Sequence, residues 1–149
     1  HLSNNEIDKA FELFKKYESG IFDENECICG PVFYCYIMYI KNMKDKAYDY
    51  LVKLKTIYKN RLNENFVLLF AKLSCELGKN LNEALELANN YYERRYSPNI
   101  YLARVILKKE LGINYEEDQK MFKKSLNFVG KREKEYYLKN PDGIYMNNF

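Results

Sequence analysis

The sequence predicts an all-α fold of stacked antiparallel helix pairs, and three observations carry that expectation. One phrase recurs as Asp8-Lys9-Ala10-Phe11-Glu12-Leu13, Asp45-Lys46-Ala47-Tyr48-Asp49-Tyr50 and Asn82-Glu83-Ala84-Leu85-Glu86-Leu87, with its alanines evenly spaced from copy to copy. A second ruler agrees: Glu76-Leu77-Gly78 returns as Glu110-Leu111-Gly112 at nearly the same interval, and Asn42 stands at the matching place before Ala47. Apolar residues, finally, recur at three and four positions rather than two, so no strand is needed.

Period, caps and stops place helices near 4–18, 31–42, 44–60, 64–77, 81–96, 98–111 and 115–129, with a short last one near 131–139. Ser3 with Glu6, Asn80 with Glu83 and Asn114 with Glu117 read as oxygen-bearing caps followed three residues later by an acid, a pairing that satisfies orphan N–H groups reciprocally. Ser97-Pro98 is a further start, because proline at the first helical position loses a donor that had no partner there. Gly78, Gly112 and Gly130 are expected to end helices in the left-handed conformation.

Ala10, Ala47 and Ala84, together with Cys35, Ala71 and Val105 seven residues before each stop, are small or moderate in size, as a close helix crossing requires. A fourth copy, Glu116 to Met121, follows the third at the interval that separates Gly78 from Gly112, with Asp118 in place of alanine. The expectation there is a looser last pair, or a solvent-facing cap. Glu18 to Glu26 reads as a solvated loop, and Pro141-Asp142-Gly143 as a turn. Beyond it Ile144, Tyr145, Met146 and Phe149 are apolar enough to fold back on the last helices or to meet a second copy as a homodimer contact.

A chain of 149 residues is expected to form a single domain, 1–149, large enough to stand without metal or disulfide. Cys27, Cys29, Cys35 and Cys75 offer a C-x-C but no C-x-x-C and no nearby histidine, so no metal centre and no cofactor is expected. Four idle thiols point to a reducing, intracellular setting, cytoplasmic or nuclear. The longest strongly apolar run, 31–40, is half of what a membrane span needs. The start, His1-Leu2-Ser3, lacks both an initiator Met and a basic, apolar signal, and a start trimmed from a longer chain is expected.

Net charge is +3 but unevenly laid out: residues 1–29 hold seven acids and three bases, whereas 41–61 hold seven bases and two acids. Fifteen tyrosines and nine phenylalanines, interleaved with lysine over 41–59, raise base stacking beside phosphate contacts as an alternative. The stronger reading is a solvated basic face with Tyr48, Tyr50 and Tyr58 leaning on an apolar one. With its single histidine at residue 1 and no Ser or Cys in a glycine-rich elbow, the chain is not expected to be an enzyme.

Leu-Gly followed by Glu-Ala, small residues at the crossings and a proline before the next repeat, at a period near 34, resemble tetratricopeptide repeats. The resemblance covers about 31–130, as pairs 31–60, 64–96 and 98–130 after a half repeat, 4–18, and before a tail, 131–149. It departs in two longer periods, from Ala10 to Ala47 and from Ala47 to Ala84, and in lacking tryptophan. Such a resemblance implies a right-handed α-solenoid that binds protein as a scaffold or as a subunit of a larger complex. A narrower likeness, in Asn65 to Leu73, Gly78, Ala84 and Ser97-Pro98, is to the coatomer epsilon subunits, and would imply a vesicle-coat component.

Curved arrays bind along the face built by the first helix of each pair. Exposed positions on 31–42, 64–77 and 98–111 are therefore the expected site: Tyr34, Met38, Lys72, Tyr101, Arg104 and Lys108. Apolar and basic together, they would suit an acidic or amphipathic helical segment of a protein partner.

Overall fold

The computed structural model describes residues 3–19, 25–93 and 97–146. The acidic connector expected over 18–26 falls largely outside them. Eight α-helices follow one another: α1 Asn4–Phe14, α2 Cys29–Ile40, α3 Lys44–Tyr58, α4 Glu64–Leu77, α5 Leu81–Tyr92, α6 Pro98–Leu111, α7 Glu116–Ser125 and α8 Lys131–Lys139. Tight single turns extend α1, α3 and α7 over Lys15–Ser19, Lys59–Arg61 and Leu126–Phe128. Among the described residues there is no strand, and no helix is long and apolar enough to cross a membrane. The helices group into two compact units, residues 1–63 and 64–148.

In the first unit α2 packs against both α1 and α3. Its core is α2 and α3: Val32, Cys35 and Ile37 meet water nowhere, nor do Ala47, Leu51 and Leu54. Tyr34 stacks on Phe11 at 5.8 Å and takes the Tyr50 ring edge-on at 5.5 Å. The Tyr50 hydroxyl donates to the Tyr17 carbonyl at 2.8 Å, so its polar end is satisfied where its ring is buried. Ser3 and Glu6 form the expected capping box. No residue of α1 is fully buried, however, and Ala10 is only half-buried where Ala47 and Ala84 are wholly so, so α1 lies on its neighbour less closely than α3 and α5 do.

In the second unit α4 pairs with α5, α6 with α7, and α6 also lies against both α4 and α5. The repeat register is visible in the helix ends. Asn42, Gly78 and Gly112 are left-handed, with φ of 63°, 65° and 70°. Beyond each, a backbone N–H reaches back over the last turn: Met43 to Met38 O, Lys79 to Ser74 O and Ile113 to Lys108 O, at 2.8, 3.0 and 2.8 Å. These bonds satisfy carbonyls the helix would otherwise leave open. Ala47, Ala71, Ala84 and Cys35 are buried, as crossing residues should be, and so is Val105. Asn65 and Asn99, the second residues of α4 and α6 and 34 positions apart, join by a buried 2.8 Å hydrogen bond.

Some expected local features differ. Asn80 is left-handed and makes no side-chain cap, because only the extended backbone of an N-cap aims its oxygen at the first-turn N–H groups. Asn114 accepts from Glu116 N at 2.9 Å rather than from Glu117, and α7 starts at Glu116. Gly130 has φ −62° and starts α8 instead of ending α7 in a left-handed turn. Ser97 does cap α6, accepting from Ile100 N at 3.4 Å with Pro98 at the first position. Cys27 and Cys29 are joined as a disulfide, against the expectation of four free thiols, while Cys35 and Cys75 are free.

Candidate functional site

The first helices of the pairs are buried on nearly every side. In α4 the run Asn65 to Ala71 is buried without interruption, followed by Leu73 and Ser74. Each such leucine or phenylalanine removed from water contributes about 1.5–3 kcal/mol, so this helix holds the unit together rather than displaying a broad surface. By contrast α5 buries only Ala84 and Ala88 fully.

That distribution corrects most of the expected site. Tyr34, Met38 and Tyr101 are core residues, 1%, 3% and 3% exposed. Arg104 and Lys108 are largely buried too and face inward. Lys108 Nζ lies 2.6 Å from Asp118 Oδ2, and Arg104 Nη1 lies 3.2 Å from Asp118 Oδ1. The Arg104 guanidinium also sits 3.8 Å above the Tyr92 ring, a cation–π contact in place of aligned hydrogen bonds. Asp118 is therefore no solvent-facing cap: it is buried, and it ties α7 to α6 through two cations. An Arg104→Glu change would set two carboxylates side by side in the core, and so tests packing rather than a surface.

Lys72 alone of the expected residues keeps its place at an accessible face. It borders a cavity of about 300 Å³ formed by α4, α6, α7 and the segment after α8. The cavity walls follow the repeat: Lys72, Cys75 and Glu76 on α4 stand opposite their counterparts in the next repeat, Ile106, Lys109 and Glu110 on α6. Cys75 Sγ links the two rows by donating to Ile106 O at 3.5 Å. The signal for the missed residues was the repeat spacing itself, applied to the positions between the buried ones.

Electrostatically the groove is mixed, lined by Lys72, Lys109, Glu76 and Glu110 together with apolar residues that include Leu102 and Phe122. Desolvation pushes the Cys75 thiol up to about 11, with Glu110 adding to the shift and Lys72 opposing it. It is a neutral, weakly polar side chain near pH 7. No cluster of His, Cys, Asp and Glu suited to a metal ion occurs among the described residues. In the first unit Tyr48, Tyr50 and Tyr58 are buried, which removes them as stacking platforms for bases. No family model, no curated protein and no solved structure matches the chain.

Proposed function

We propose that the chain is a non-enzymatic, tetratricopeptide-like scaffold that binds protein through the groove of its second unit. What supports this most is that the groove is lined by equivalent residues of two consecutive repeats, Lys72 with Ile106, Cys75 with Lys109 and Glu76 with Glu110. A surface repeated from one helix pair to the next suits an extended ligand better than a compact one, since successive segments of the ligand meet similar walls. The groove's thiol is protonated at neutral pH and its walls mix lysine, glutamate and aliphatic side chains, a lining suited to contact with a peptide.

The test is affinity purification from the native source with the wild-type chain and with Ile106→Asp, which places a charge on the groove wall. A co-purifying protein captured by the wild type and lost with a folded Ile106→Asp chain supports the reading. Capture that is equal for both chains places the binding surface elsewhere and overturns the groove, and recovery of the chain alone undermines the scaffold itself.

A further inference from the structure

The segment that follows α8 turns back into the groove. Gly143 N–H donates to Asn140 O at 3.0 Å, closing a turn around Pro141 and Asp142. Lys72 Nζ then donates to the Asp142 main-chain carbonyl at 3.0 Å. Ile144 is 3% exposed and lines the same cavity as Leu102, Ile106 and Phe122. Tyr145 N–H donates to the Tyr137 hydroxyl at 2.9 Å. One main-chain carbonyl, one aliphatic side chain and one amide thus seat the segment, and about 300 Å³ of the groove beside it stays unfilled.

We propose that Pro141 to Ile144 is a built-in occupant of this groove, standing where an extended peptide of a partner binds. The inference rests on the reading of the groove as a protein-binding surface and adds the chemistry of its ligand. That ligand is an extended segment turning a backbone carbonyl toward Lys72 and setting an aliphatic residue where Ile144 sits. The tether makes the occupant effective at a cost of few contacts, since a segment anchored next to its site has an effective concentration in the millimolar range. The space left unfilled gives a longer or bulkier partner segment contacts the tail lacks, and so a means of displacing it.

Two measurements on the full chain decide this. The first uses a fluorescent peptide of residues 139–149 and follows its anisotropy with the wild-type chain and with Ile144→Asp, whose own tail cannot seat. The peptide is expected to bind Ile144→Asp about tenfold more tightly than wild type, because the groove is then open for most of the time. The same peptide carrying Asp in place of Ile144 is expected not to bind. Binding to neither chain, or equal binding to both, overturns the proposal.

Should Ile144→Asp not fold, Ile144→Ala removes most of the aliphatic anchor and leaves every other groove residue in place. The peptide of residues 139–149 is then expected to bind this chain several-fold more tightly than wild type, whereas equal binding overturns the proposal. The scaffold reading has a separate readout: loss of partner capture on Ile106→Asp without any peptide binding leaves the scaffold standing and removes the self-occupied groove. Peptide binding with no captured partner does the reverse.

Discussion

Replacing Asp118 by alanine would restore the repeat's usual residue to the copy that lacks it, yet the structure predicts a loss of stability. One repeat earlier the same three positions are Phe70, Ser74 and Ala84; here they are Arg104, Lys108 and Asp118. The substitution at 118 has thus come with two cations whose side chains are only 14% and 16% exposed. Removing one partner of a buried ion pair costs about 3–5 kcal/mol, since the opposite charge stays desolvated. Lys108 can swing its ammonium toward water along its flexible stem, which brings the expectation for Asp118→Ala to about 2–3 kcal/mol. At about 4 °C per kcal/mol the melting temperature falls by roughly 8–12 °C, read from far-ultraviolet circular dichroism on heating. The loss changes little with added salt, because buried charges are poorly screened. The triple change Arg104→Phe, Lys108→Ser and Asp118→Ala copies the earlier crossing entire and is expected to recover to within about 1 kcal/mol of wild type. An Asp118→Ala chain melting at or above wild type would refute the reasoning, and show that the three charges contribute nothing net.

Asn65→Ala and Asn99→Ala each delete one side of the buried 2.8 Å amide bond, at about 1–3 kcal/mol apiece in urea unfolding. The double variant should lose about 1 kcal/mol less than the sum, and strict additivity would mean the bond contributes nothing. Gly112→Ala meets no atom within 4 Å of the new Cβ but must hold φ at +70°, so about 1–2 kcal/mol of backbone cost is expected, and less for Gly112→Asn. A Gly112→Ala chain as stable as wild type would show that the helix end relaxes. Because burial disfavours its thiolate, Cys75 should gain reactivity toward iodoacetamide only as pH climbs toward about 11, well above an ordinary thiol near 8.5. A midpoint at or below 9 in that titration contradicts the buried placement.

Helices, their order and most of their limits were legible because each rests on neighbours in sequence: apolar spacing, a serine before a proline, a glycine after a leucine. Asn42, Gly78 and Gly112 could be matched from spacing alone, since the left-handed stop is set by the few residues that form it. The candidate site was legible only in part, for a reason that lies in how α6 packs. A helix with one neighbour shows a single apolar stripe, and everything off that stripe is surface. A helix packed against three others, as α6 is against α4, α5 and α7, buries residues all round, so its polar residues divide between surface and interior with no periodic mark to tell them apart. Arg104 and Lys108 fell on the inner side because Asp118, on the next helix, supplies their counter-charge. Tyr101 went inward because the Tyr92 ring meets it edge-on, at 6.0 Å. Lys72 stayed accessible because its position, like Cys75, Glu76 and their counterparts Ile106, Lys109 and Glu110, borders a groove that α7 and a short segment of tail flank without filling. What separates scaffold from groove in this chain is thus which helix faces find a neighbour. That is a property of the stack, and the sequence encodes it only through pairs such as Lys108 and Asp118 whose chemistry makes sense once they touch.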